Sequence, residues 1–205
     1  MSTPAVSGEP AASVDLYWLP LGAGGLRFVQ WSGRLYEAIV ARSQRRHVCD
    51  LYHSALVVRL GRDRFTIEMG PVWSLNEPAR GVVAEGAVGL PTLGRSRLFR
   101  YEVRCWRNGT IPDIGDAVAS PQRASSNLVQ AQRVLDLAPT VPGLTWGRDE
   151  LRTGDMWNSN SLISWLLVRS GHKPDVVTLP PHGRAPGWTA GLALAARQAD
   201  RACTR

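Results

Sequence analysis

The sequence passes at residue 162 from a polar stretch, Gly154-Asp155-Met156-Trp157-Asn158-Ser159-Asn160-Ser161, to an apolar run, Leu162-Ile163-Ser164-Trp165-Leu166-Leu167-Val168. The apolar run predicts a buried helix that ends at Ser170-Gly171, because glycine readily takes the left-handed conformation that closes a helix. Asn and Ser side chains accept hydrogen bonds from the free N–H groups of a first helical turn. We therefore expect Ser159 to lie at or just inside the start of this helix.

The start of a helix is also a place where catalysis is favoured. Free N–H groups and the helix dipole stabilise negative charge there. A nucleophile or an oxyanion site at Ser159 would gain from both effects. The simpler interpretation is that the Asn and Ser side chains of this stretch serve only as caps.

A histidine and a carboxylate lie on two predicted strands earlier in the chain. Leu51-Tyr52-His53-Ser54-Ala55-Leu56-Val57-Val58 predicts a buried strand, and Phe65-Thr66-Ile67-Glu68-Met69 predicts the next, after a turn at residues 61–64. A hairpin of this kind can place His53 beside Glu68. Ser159, His53 and Glu68 then form a possible nucleophile, base and orienting group. The alternatives are a hydrogen-bonded core histidine and a glutamate that faces solvent.

Four further side chains are candidates for binding a substrate. Asn158 and Asn160 could donate to an oxyanion, although capping is the alternative role for at least one of them. Trp157 and Trp73 could line an acyl or peptide cleft, and their alternative place is the core.

The size and composition of the chain indicate one domain. Its 205 residues are 44% hydrophobic, which is enough for a substantial core. Residues 1–14 are small, polar and proline-containing, so we expect a disordered tail there and a single domain over residues 15–205. The tail lacks the features of a secretory signal, and no apolar run is long enough to span a membrane.

The cysteines and the basic charge bear on location and partners. Cys49, Cys105 and Cys203 have neither metal-site nor disulfide spacing. We therefore expect a reducing cytoplasm and no metal or cofactor. The net charge of +7 suggests nucleic acid. However, the arginines are spread along the chain and no nucleic-acid-binding motif is present, so we expect no such partner.

The remaining pattern predicts an α+β fold, with an antiparallel sheet of about four to six strands packed on helices. Further strands are expected near residues 15–21, 27–31, 81–86 and 97–106, and helices near residues 33–43, 125–137 and 188–201. Charges alternate from Arg100 to Arg104 as on the solvent face of a strand. Ser120-Pro121 predicts a break, and His172 and His182 are expected in exposed loops.

The order of these motifs resembles the circularly permuted papain-like superfamily, which includes permuted NlpC-type and lecithin retinol acyltransferase-like proteins. There a His opens an early strand, a polar residue lies on the next, and an Asn-Cys sequence begins a buried helix near the end. Here the matching positions read Tyr52-His53-Ser54, Thr66-Ile67-Glu68 and Asn158-Ser159-Asn160. The resemblance covers roughly residues 50–170, and it implies a permuted papain-like fold and functional roles for His53, Glu68 and Ser159.

The sequence departs from this superfamily at one position, since Ser159 stands where the superfamily has Cys. A thiol beside a protonated histidine can exist as a thiolate, whereas a serine hydroxyl must give up its proton during attack. Two functions therefore stay open. One is a hydrolase or acyltransferase that acts on an amide or ester of a small-molecule, lipid or peptide substrate. The other is an inactive papain-like binding protein that has lost the nucleophilic Cys.

Overall fold

The computed structural model describes residues 10–21, 42, 45, 47–72 and 81–203. In these ranges a seven-stranded sheet packs against helices, which confirms the α+β class. The strands are β1 (Ala12–Pro20), β2 (Asp50–Leu60), β3 (Asp63–Pro71), β4 (Val82–Ala87), β5 (Arg100–Arg107), β6 (Val118–Ser125) and β7 (Gly183–Arg184). The α-helices are α1 (Leu128–Leu137), α2 (Ser159–Arg169) and α3 (Trp188–Cys203).

The sheet is centred on the hairpin that carries the predicted histidine and carboxylate. Six strands pair antiparallel in the order β4-β5-β3-β2-β1-β6, and the short β7 pairs in parallel with the start of β2. β2 and β3 form the predicted hairpin, with Gly61 in the left-handed conformation at its turn (φ +61°). β1 lies between β2 and β6, so the N-terminal strand is internal to the sheet.

α2 is the central helix, and its first nine residues, 159–167, are all buried. Leu162, Ile163 and Leu166 have no exposed surface, and each such side chain contributes about 1.5–3 kcal/mol by leaving water. The helix closes at Ser170, and Gly171 follows with φ +92°. The predicted start, apolar body and end of this helix are confirmed.

The two faces of the sheet have different coverings. On the first face, Leu56, Ile67 and Val103 belong to the main core, which includes side chains of all three α-helices. On the second face, a smaller apolar cluster forms around Ala55 and Val57 and is covered by Ile111. Neighbouring residues of a strand point to opposite faces, so the two clusters alternate along β2.

Several details differ from the sequence predictions. Residues 12–14 were assigned to the disordered tail, but they belong to β1 and are buried. β1 has a partner strand on each side, so it needs little strand propensity of its own. The Ser120-Pro121 break lies inside β6, an edge strand where proline is tolerated. The predicted strand at 27–31 and nearly all of the helix at 33–43 lie outside the described residues.

Three predicted surface residues are buried. His172 is 5% exposed. Its buried ring nitrogens contact the hydroxyls of Ser170 (2.9 Å) and Ser125 (3.0 Å). Glu102 and Arg104 are 1% and 2% exposed, so these two charges of β5 do not face solvent.

Candidate functional site

Asn158 caps α2. Its Oδ1 accepts hydrogen bonds from the N–H groups of Asn160 (2.9 Å) and Ser161 (3.3 Å), and Ser161 Oγ accepts one from the Asn158 N–H (3.0 Å). This reciprocal arrangement is a capping box. The Asn158 amide nitrogen also donates to the Pro186 carbonyl (2.8 Å). The structure therefore gives Asn158 the role of a cap in place of the predicted substrate contact.

Asn160 is a buried connector between three parts of the chain. Its Oδ1 accepts a hydrogen bond from Ser54 Oγ (2.8 Å) on β2. Its Nδ2 donates to the carbonyls of Tyr52 (2.9 Å) and Pro186 (2.8 Å). The residue is 2% exposed, and the protein itself uses its side-chain amide fully. Asn160 therefore has no donor left for an oxyanion, which corrects the predicted binding role.

The sheet opens between β2 and β3 where Asn160 makes these contacts. The β2–β3 ladder runs from Leu60–Asp63 to Leu56–Ile67 and stops, although both strands continue. The Leu51 carbonyl accepts from the Leu21 N–H on the β1 side. Carbonyls alternate along a strand, so the Tyr52 carbonyl points toward β3, and the Asn160 amide takes it. The first turn of α2 thus meets the sheet at a gap beside residues 52–55.

Ser159 differs from its polar neighbours in this first turn. Its residue is 4% exposed, and within the described ranges neither its hydroxyl nor its N–H has a hydrogen-bond partner. The N–H belongs to the first turn of a helix, where no intrahelical acceptor is available. A buried hydroxyl and a free N–H at the positive end of a helix dipole could bind developing negative charge.

His53 is held by Asp113 and not by Glu68. Its Nε2 lies 3.3 Å from Asp113 Oδ2, and the side chains are 28% and 11% exposed. Burial would raise the pKa of Asp113, but the hydrogen bond and charge of His53 outweigh it and lower that pKa. Because the ionised carboxylate accepts, Nε2 is the ring nitrogen of His53 that donates to Asp113. In the neutral ring, Nδ1 is then the acceptor.

Asp113 was missed by the sequence analysis. It precedes a short 3₁₀ turn, Ile114–Asp116, in the connection between β5 and β6. This connection folds over the second face, where Ile111 packs on Ala55 and Val57. The available signal was an acidic residue beside an apolar one in a loop, which is too common to select Asp113.

Glu68 belongs to a buried charge cluster on the second face. Arg104 donates to Glu68 Oε1 (2.9 Å), to Glu102 Oε2 (3.2 Å) and to the Pro71 carbonyl (3.0 Å). Desolvation by burial raises the pKa of Glu68, against the opposing effects of Arg104 and His53. No hydrogen bond joins Glu68 to His53, both of which the structure describes, and the hydrogen bond of Glu68 goes to Arg104.

The predicted nucleophile and base approach the gap from different sides. His53 shares the second face with Ala55, whereas Ser54, its neighbour, contacts Asn160 of α2 on the first face. No hydrogen bond joins His53 to Ser159, both of which the structure describes. The structure therefore does not bring the predicted base into contact with the predicted nucleophile.

Of the two tryptophans named from the sequence, the structure describes only Trp157. Trp157 is 1% exposed and lies in the main core, which is the alternative place expected for it. Trp73 lies outside the described residues.

Two further features bear on cofactors and membranes. Within the described ranges, no group of three or more His, Cys, Asp or Glu side chains could hold a metal ion. No helix in the same ranges has the length and apolar character that crossing a membrane requires. Comparison of the chain with models of protein families, with curated proteins and with solved structures gave no match.

Proposed function

We propose that this chain is a permuted papain-like hydrolase or acyltransferase that acts on an amide or ester through Ser159, His53 and Asp113. The observation that carries the proposal is the first turn of α2. Its other polar side chains, Asn158, Asn160 and Ser161, are all hydrogen-bonded within the protein. In that turn, and counting partners among the described residues, Ser159 alone keeps both its hydroxyl and its N–H free.

The proposed reaction begins with attack by Ser159 Oγ on the substrate carbonyl carbon. His53 takes the hydroxyl proton on Nδ1, because Asp113 holds its Nε2. The Ser159 N–H stabilises the oxyanion. His53 then gives the proton to the leaving amine or alcohol, and the acyl group stays on Ser159. Water or another acceptor, activated by His53, releases the acyl group and restores the site.

This reaction requires His53 to approach Ser159 through the gap when a substrate is bound. Catalytic hydrogen bonds are often long in a free enzyme and shorten in the substrate complex. The substrate is a small molecule, a lipid or a peptide. The proposal includes a cytoplasmic location, in keeping with the scattered cysteines, and no nucleic-acid partner.

A second candidate is a papain-like binding protein without catalysis. The observation that favours it is the missing hydrogen bond between His53 and Ser159, together with serine where the superfamily has cysteine. A binding protein would use the same gap for its ligand and would not need proton transfer.

Labelling with a fluorophosphonate probe, read by intact mass, tests the proposed serine. We expect one adduct on the wild-type chain and none on Ser159→Ala. Loss of the base should slow labelling of His53→Gln by about 10²–10⁴-fold. The matched control is Ser126→Ala, an exposed serine before α1, which should label like the wild type. An adduct that persists in Ser159→Ala contradicts the proposal.

The variant Ser159→Cys distinguishes two reasons for a lack of labelling. Either the site does not activate residue 159, or the fluorophosphonate probe does not fit into the site. If His53 reaches this helix start, a thiol there should be alkylated by iodoacetamide faster than an ordinary cysteine. Burial raises the pKa of Cys105 to about 11, so that thiol adds little background. The comparison is the double variant that also carries His53→Gln. If the wild type gives no adduct and the introduced thiol reacts equally fast with and without His53, the binding function replaces the enzymatic one.

A further inference from the structure

The segment between β4 and β5, residues 88–99, is an exposed apolar loop. Every residue from 89 to 99 is exposed except Gly94. The described part of the chain has nine large apolar side chains that are exposed, and four of them lie here. These are Leu90 (47%), Leu93 (37%), Leu98 (69%) and Phe99 (42%). Such a concentration marks an interaction surface, because exposed apolar residues are normally scattered singly.

The loop is held in shape by its own backbone. Two 3₁₀ turns, Pro91–Arg95 and Arg97–Phe99, occupy most of it. Its ends are joined by the hydrogen bond from the Val88 N–H to the Phe99 carbonyl (2.8 Å). Gly89 is tied to the Trp146 carbonyl (2.9 Å). Many of its backbone N–H and C=O groups are already hydrogen-bonded. Moving the loop from water into an interface would therefore neither require a flexible segment to become ordered nor bury many unpaired polar groups.

The charge of the loop is positive only. Arg95 and Arg97 stand among the apolar side chains and are exposed, and the sequence has no acidic residue between Glu85 and Glu102. Arg100, at the end of the loop, is ion-paired with Glu85. Apolar side chains combined with arginine suit a surface that offers both hydrocarbon and negative charge.

We infer that residues 88–99 dock on an anionic lipid surface. Leu90, Leu93, Leu98 and Phe99 enter the interface, and Arg95 and Arg97 bind lipid phosphates while their stems stay among the apolar chains. A protein partner is less well matched, because its strong contacts require anchors in well-packed pockets, and the apolar side chains of this loop are exposed next to the edge strand β4. A short apolar insertion combined with basic charge gives reversible binding, not a membrane anchor.

Co-sedimentation of the full chain with vesicles tests the inference. We expect binding to phosphatidylcholine vesicles that contain about one third phosphatidylserine, and weaker binding to phosphatidylcholine alone. Arg95→Gln with Arg97→Gln should lose about thirtyfold in affinity, and Leu93→Ser with Leu98→Ser about tenfold or more. Added salt should weaken binding of the wild type more than that of the arginine variant.

Matched controls remove exposed groups elsewhere. Leu128→Ser with Val129→Ser changes two apolar residues of α1 that are 57% and 56% exposed, and Arg62→Gln with Arg148→Gln removes two exposed arginines. Both controls should bind like the wild type.

Equal loss of affinity in the controls, or no binding of the wild type to either vesicle, overturns the inference. Concentration-dependent dimers that Leu98→Ser abolishes, without vesicle binding, would show a second copy as the occupant. Ser159→Ala should bind vesicles normally, so this test is independent of the proposed catalysis.

Discussion

On the first face of the sheet, Leu56 and Ile67 are completely buried among apolar helix residues. On the second face, buried Glu102 and Arg104 form a charge cluster with partly buried Glu68. An apolar core tolerates a small loss of volume, with a cost that follows the size of the cavity. A buried charge cluster depends on each member, because the remaining charges are costly without their partners. The two faces of one sheet should therefore respond differently to single substitutions.

The largest effect should come from Arg104→Met. This change keeps an unbranched side chain of similar length but removes the guanidinium that pairs with partly buried Glu68 and buried Glu102. We expect a loss of about 3–5 kcal/mol in the free energy of unfolding, measured with urea at neutral pH. The control is Arg107→Met, which removes the ion pair of Arg107 with Asp63, whose side chains are 64% and 39% exposed, and it should cost at most about 1 kcal/mol. Equal losses would mean that the second face does not depend on its charge cluster.

Asn160→Ala tests the junction between the two faces. It leaves Ser54 Oγ and the Tyr52 carbonyl without the Asn160 amide, whereas the Pro186 carbonyl keeps its hydrogen bond from Asn158. Each unsatisfied buried group costs about 1–3 kcal/mol, and water entering the gap should recover part of this, so we expect about 2–4 kcal/mol. Asn127→Ala is the matched control, because Asn127 caps α1 at an exposed position and should cost about 1 kcal/mol. A loss no larger than the control would contradict the role of Asn160 as a connector.

The first face should show its own pH dependence through His172. Desolvation by burial lowers the pKa of His172 below its ordinary value of 6.5. The unfolded chain therefore binds more protons at acid pH, and stability should fall as the pH drops below that value. In His172→Gln, the free energy of unfolding measured with urea should fall less than in the wild type between neutral pH and about pH 5. His182→Gln, at an exposed position, should leave the loss in place.

The smallest effects should come from two carboxyls on the second face, which should change the stability of the fold with pH in opposite directions. The lowered pKa of Asp113 stabilises the fold above its ordinary value of 3.8, and this contribution is lost as the pH falls through the folded-state pKa. The raised pKa of Glu68 works the other way, so its contribution falls as the pH rises from below 4.5. Measured by urea unfolding, the wild type should gain stability relative to Asp113→Asn with rising pH and lose it relative to Glu68→Gln. The same trend for both variants would contradict this account.

The structural features that depend on residues close together in the chain could be predicted from the sequence. The hairpin of β2 and β3, the start of α2 at Ser159 and its end before Gly171 follow from local patterns of apolar, capping and turn residues. Asp113 could not be predicted, because its approach to His53 depends on how the β5–β6 connection crosses the second face. The charges of β5 were assigned to solvent because alternation shows two faces but not what covers each of them. The roles of Asn160 and Trp157 likewise depend on residues distant in the chain.

The internal position of β1 has a consequence for the order of assembly. Val14 pairs with Val58 on one side and with Ser125 on the other, so its partners come from distant parts of the chain. β6 has no strand to join until β1 has added to the hairpin of β2 and β3. Contacts between distant residues form slowly because a long loop must close first. We therefore expect the β1–β6 ladder to be the last part of the sheet to gain protection during refolding, and its amide hydrogens to exchange first in the folded state.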